Sequence, residues 1–367
     1  MDRGAGANAT IAMTTHSLHS GETPAEQVDA IAARLNAAPR PKRTIDAAGM
    51  LSPAEWERLD TCMEELGPDA VLDRLSPLFA AWQEKYDGLL ALLQRHGYET
   101  LLPTDLPPCG VRCCVLYHDV HAWDVLAAMA LTRVNRARDV RSTFFLNWDF
   151  SLFDVPLRPS YRVFRHLAGR HVEVGMHTGI FSSWLRFVVF GGDERRFDEW
   201  ARDDESVDRE IVAILDDSAT GPVGRHSLSD VLEGMHAHLA DKLAAFRQVF
   251  PLVRAINHHG DEVARRLALT NPHIPDALKR QLAASSSEFY TPERLRALGL
   301  EANLWNVHLG HAGSVRFPEG KNRRTYFQNL DALLAEGKPV YIINHPNNFF
   351  FGNIVYDVDF VRRLQGT

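Results

Sequence analysis

Six short apolar runs in this chain each end in a side chain that can bind a metal or move a proton. After Val115-Leu116-Tyr117 come His118, Asp119 and His121. After Thr143-Phe144-Phe145-Leu146 come Asn147 and Asp149, and after Val172–Met176 comes His177. Arg254–Asn257 leads into His258, His259 and Asp261. Ala302–Val307 leads into His308 and His311, and Val340–Ile343 into Asn344 and His345. The chain holds 17 histidines, and a random scatter would rarely place them this way. A strand-end imidazole can also do no more than satisfy a carbonyl, so the argument rests on the whole set.

Imidazole is the commonest neutral metal ligand and the usual acid–base group near neutral pH. A divalent ion needs about three N or O ligands and one open position. So held, it lowers the pKa of bound water and polarises a carbonyl, while a nearby carboxylate takes a proton and a second histidine returns one. The chain offers a carboxylate (Asp119), candidate ligands (His121, His177, and His258 or His259) and a distal histidine (His345). These residue types together point to metal-assisted hydrolysis.

The elements that must position them read as alternating strand and helix. Apolar runs at 113–117, 142–146, 172–176, 252–257, 302–307 and 339–344 are rich in β-branched and aromatic residues without polar alternation. Burial on both faces of a parallel sheet demands that texture. Helical patterns lie between them, as in AWDVLAAMALTRVNRA and SDVLEGMHAHLADKLAAFRQVF. The alternation predicts a parallel α/β sheet or barrel. In such architectures the C-terminal strand ends share one face, and that face holds the site.

Residues 1–25 predict a disordered tail and 26–110 an N-terminal helical region, followed by the α/β unit over 111–367. Ser52-Pro53-Ala54-Glu55 reads as a capping box opening one of the N-terminal helices. Those helices would cover an open side of the α/β unit or support a homodimer. Residues 185–225 predict an acidic helical insertion: Asp193–Asp217 carries eleven acids and four arginines, a net −7 that equals the charge of the whole chain. No basic nucleic-acid footprint exists. Hydrophobic residues at 45% and charged residues at 24% are globular values. No apolar run approaches a membrane span, and the N-terminus lacks a secretory pattern, so a cytoplasmic location is expected. Four cysteines make no disulfide framework, and Cys113 and Cys114 read as the start of a buried strand.

Taken in order, HDVHAWDVLAAMAL, STFFL, EVGMHTG, INHHG and INHPNN resemble the motifs of the polysaccharide deacetylase superfamily, the NodB-homology fold. The similarity spans roughly 111–351 and is nearest to the divergent branch whose first motif is His-Asp-Val-Asp. It implies a distorted (β/α) barrel of the polysaccharide-deacetylase type with an added N-terminal helical region. It also implies one divalent ion and hydrolysis of acyl groups, usually acetyl, from sugars. By that resemblance Asp119 and His345 are catalytic, Asp119 as general base or sharing the metal and His345 as general acid, and His121, His177 and His259 hold the metal. His121 stands where the branch has aspartate, which shifts the preference toward zinc, with cobalt, manganese, nickel or iron as alternatives. Phe181 stands where ordinary members carry a second histidine. Asn147, Trp148 and His258 would contact substrate.

The expected function is a metal-dependent deacetylase or amidohydrolase acting on an amino sugar, sugar nucleotide or glycosylated metabolite. Its partner is a small carbohydrate-like molecule, with neither nucleic acid nor membrane. Two rivals stand beside it. One is a non-haem iron oxygenase using His259, Asp261 and a distal histidine; the other is a barrel that binds carbohydrate without catalysis.

Overall fold

The computed structural model describes residues 21–37, 51–105, 112–149, 159–216, 218–258, 292–304, 314–315, 330–337, 339–346 and 354–356. The chain opens with helices α1 (Pro24–Ala37), α2 (Pro53–Leu66) and α3 (Pro68–Arg95). Val28, Ile31, Ala32 and Leu35 of α1 are buried at helical spacing. The capping box at Ser52 forms as expected: the hydroxyl accepts from Glu55 N at 3.3 Å, and Ser52 N donates to Glu55 Oε2 at 2.7 Å.

A strand that the sequence does not announce follows. β1 (Glu99–Leu101) pairs in parallel with β2 (Cys113–Val120), so the N-terminal region contributes to the sheet as well as to its cover. Three residues are too few to show any periodicity, and the pairing depends on Gly97, whose φ of +70° turns the chain out of α3.

After β2 come α4 (Val125–Arg138), β3 (Ser142–Asp149), two short helices and β4 (Val172–Thr178). Helix α7 (Ile180–Trp184) runs into a π-helical turn (Leu185–Val189), followed by α8 (Glu194–Arg202) and α9 (Asp204–Asp216). These last two carry most of the acids of the 193–217 stretch. Next come α10 (Leu228–Arg247), β5 (Ala255–His258), α11 (Pro292–Ala297) and the two-residue strands β6 (Ala302–Asn303) and β7 (Ser314–Val315). β8 (Val340–Asn344) and β9 (Ile354–Tyr356) complete the order. Strand order is β6-β5-β4-β3-β2-β8-β9-β7, with β1 also on β2. Pairing is parallel from β6 through β8 and antiparallel at β8–β9–β7. The protein is thus mixed α/β with a half-barrel of parallel strands, an arrangement compatible with a distorted barrel.

Side chains of the sheet divide between two cores. Cys114, Leu116, Val120, Phe144, Leu146, Val174, Met176 and Ile342 join the large core with α3, α4, α7 and α10. Val115, Tyr117, Phe145, Ala255, Ala302, Leu304, Tyr341 and Ile343 form a separate small core on the other face. There Tyr117 stacks on Tyr341 at 6.1 Å and meets Phe145 edge-on at 5.6 Å. Gly175 makes room for this layer: a Cβ there would lie 2.3 Å from Phe145 Cε1 and 3.1 Å from the Ala255 carbonyl.

Helix α3 covers α4. Buried Leu75, Phe79, Tyr86 and Leu90 lie along one seam, and each fully buried aliphatic or phenyl side chain contributes about 1.5–3 kcal/mol. Arg138 of α4 grips Asp87 of α3 through two bonds of 2.6 Å. The N-terminal helices thus pack on the sheet's helical layer, not over an open side of the sheet.

Candidate active site

Strand register sets the site. His118 lies opposite Asn344, Asn147 opposite His177, and His177 opposite Asn257. The C-terminal ends of β8, β2, β3, β4 and β5 therefore stand side by side. Along β2, Tyr117 belongs to the small core, so Asp119, two residues on, shares its face, while His118 points the other way. The small core ends in polar groups at this edge: Asp119, Asn147, His177 and Asn257 are all buried.

Asp119 and His177 form the centre. His177 Nε2 lies 3.9 Å from Asp119 Oδ2. The Nδ1–H of His177 donates to the Asn257 carbonyl at 3.2 Å, which places the ring's lone pair on Nε2, toward Asp119. The amide Nδ2 of the same Asn257 donates to Asp119 Oδ1 at 2.8 Å. One asparagine therefore orients both groups.

His121 approaches from the loop after β2. Its Nδ1–H donates to Asp124 Oδ2 at 3.1 Å, and its backbone N–H donates to the same oxygen at 3.1 Å. Asp124 is fully buried at the start of α4. In the neutral ring the lone pair again falls on Nε2. The His121 ring lies between Trp123 (centroids 4.8 Å apart, 6° between planes) and His345 (5.3 Å, 6°), and it meets His177 edge-on at 5.8 Å. Pinning Nδ1 on an oxygen fixes the orientation and tautomer of a ligating imidazole.

Electrostatics follow from burial. Desolvation pushes the Asp119 carboxyl above its ordinary range, against the pull of His345, the Asn257 hydrogen bond and His121. Desolvation also holds His177 well below 6.5, with His121 adding to the effect. His345 is lowered too, chiefly by desolvation, although the Asp119 charge favours its protonation. A carboxyl shifted up beside imidazoles shifted down is the pattern of an acid–base site.

Four expected site residues, Asp119, His121, His177 and His345, meet in one neighbourhood. Asn147 lies beside them, buried, just before a register irregularity between Asn147 and Asp149. The side chains of Trp148 and His258 lie outside the described residues, as do His259, Asp261, His308, His311 and Phe349–Phe351. His118 is brought elsewhere: it is fully buried on the helical face, stacked on Phe144 at 4.4 Å. Phe181 is buried on α7 against Trp184, so that position packs the core.

Two contributors, Asn257 and Asp124, were missing from the sequence reading. The spacing His121-x-x-Asp124 could have disclosed the second. Asn257 carried no signal, because its role comes from the β4–β5 register.

Among the described residues no group of three or more His, Cys, Asp or Glu side chains is gathered as a metal cage. Two imidazoles with lone pairs on Nε2 beside a carboxylate nonetheless have the donor chemistry of a zinc-type site. Compared with family models, curated proteins and solved structures, the chain matches none.

Proposed function

We propose that the protein is a metal-dependent hydrolase that removes an acetyl or related acyl group from an amino sugar, sugar nucleotide or glycosylated metabolite. We further propose that its sheet belongs to a distorted (β/α) barrel of the polysaccharide-deacetylase type. The observation that carries the reading is the meeting of Asp119, His121, His177 and His345 at adjacent strand ends, with Nδ1 of both His121 and His177 bonded to oxygen. His121 and His177, with His259 from outside the described residues, would hold one divalent ion, zinc before cobalt, manganese, nickel or iron. When bound, that ion supplies a Lewis acid for the acyl oxygen and a lower pKa for water.

The chain's own groups do the proton work. Asp119, a stronger base than an exposed aspartate, takes a proton from the attacking water. The water oxygen bonds to the acyl carbon, and the C–N bond breaks. His345 gives a proton to the departing amine and is recharged by the proton that Asp119 took from water. Asn257 holds Asp119 and His177 in register throughout. The parallel order from β6 to β8 favours this reading over the iron oxygenase, whose ligand triad normally sits in an antiparallel double-stranded β-helix.

The test is acetate release from N-acetylated amino sugars and their nucleotide conjugates. Wild-type protein should release acetate, and Asp119→Asn should lose about 10²–10⁴-fold in rate with its fold intact by circular dichroism. Full activity in Asp119→Asn removes the assignment.

A further inference from the structure

On the far side of β2 from Asp119 lies a second polar cluster. His118, fully buried, uses both ring nitrogens. Tyr86 of α3 donates its hydroxyl proton to Asn135 Oδ1 at 2.7 Å, so its oxygen accepts from His118 Nε2–H at 3.1 Å. Asn344 Nδ2 donates to His118 Nδ1 at 3.1 Å. Asn135 Nδ2 in turn donates to Ser142 Oγ at 2.6 Å. These donors settle His118 as the neutral Nε2–H tautomer.

A dry packing role does not need such a chain, because an apolar side chain would fill the space without desolvating an imidazole, a phenol and two amides. The chain ends one peptide bond from the site: Asn344 is the last residue of β8, and His345 follows it onto the opposite face. Holding the Asn344 side chain fixes the peptide plane from which His345 projects.

We propose that Tyr86, supplied by the N-terminal helix α3, is a positioning residue for His345, acting through His118 and Asn344. The inference rests on the hydrolytic reading for what His345 does, but not for where it is held. Through Tyr86, α3 sets the geometry of a site on the other side of the sheet.

The experiment uses the full chain with Tyr86→Phe, Asn344→Leu, the double variant, and Leu90→Ala. Leu90, one turn from Tyr86 on the same helix, is buried and supplies no donor or acceptor to the chain, so Leu90→Ala loosens packing and leaves every hydrogen-bonding group in place. Positioning predicts that Tyr86→Phe lowers kcat by about tenfold with KM unchanged. Asn344→Leu should do the same, and the double variant should fall no further than either. Leu90→Ala should lose thermal stability and keep kcat. A second readout needs no turnover: in histidine-¹⁵N-labelled protein, the His345 ring signals, assigned with His345→Gln, should move in Tyr86→Phe and stay in place in Leu90→Ala. If no acetyl substrate is cleaved while the His345 signals move, the hydrolytic reading fails and the positioning stands. Unmoved His345 signals, or additive kcat losses, overturn the positioning itself.

Discussion

Lowering the pH should destabilise this fold through His118 in a measurable amount. Burial holds the His118 imidazole down to about 3 from an ordinary 6.5, with the nearby His345 adding to the shift. The unfolded chain takes up a proton below 6.5, while the folded chain refuses it until about 3. Stability is therefore lost as pH falls through that window. Each pH unit costs about 1.36 kcal/mol, so the 1.5 units between 6.5 and pH 5 remove about 2 kcal/mol. His118 is fully buried, so solvent screening does not discount the figure. The assay is urea unfolding of wild type and His118→Gln at pH 7.5 and pH 5.0, with ΔG from linear extrapolation. The substitution lowers stability at both pH values; the quantity of interest is the difference between them. Wild type should lose about 2 kcal/mol more than the variant on acidification. His177 is also lowered and contributes equally to both proteins, so it cancels; repeating the pair in a His345→Gln background removes the share that couples His118 to His345. Equal losses in the two proteins would refute the reasoning and show that His118 titrates normally.

Further expectations concern the small core and the site. Asn257→Leu removes the hydrogen bond that favours ionised Asp119, so the acid limb of kcat/KM should move to higher pH; an unshifted limb would remove Asn257 from the site. Gly175→Ala drives a Cβ into Phe145 beside a rigid carbonyl. It should cost about 1–3 kcal/mol in urea unfolding, and a neutral result would show that the layer between β3 and β5 is loosely packed. Phe181→His should reduce thermal stability and leave metal affinity unchanged, because Phe181 is buried against Trp184.

Much of the candidate site's neighbourhood was legible because strand ends carry their own signal. An apolar run followed by histidine or aspartate needs no partner strand to be noticed, and Asp119, His121, His177 and His345 were found that way. Which of His118 and Asp119 enters the site was harder to see. All eight residues of β2 are buried, so polarity does not alternate along it, and only the helices on one side decide which face is which. Asn257 looked like ordinary strand sequence because its two bonds join residues far apart in the chain. β1 was hidden by its length. The helices were easier, since Ser52 with Glu55 and the spacing of Val28, Ile31 and Leu35 are local chemistry that tertiary structure did not override.

Metal stoichiometry tests the central claim most directly. Protein purified without chelators and dialysed against Zn²⁺ should carry about one ion per chain by elemental analysis. His121→Ala and His177→Ala, folded by circular dichroism, should each carry far less. Retention of a full ion by both variants, or no bound ion in wild type after Zn²⁺, Co²⁺ or Mn²⁺, would contradict the account.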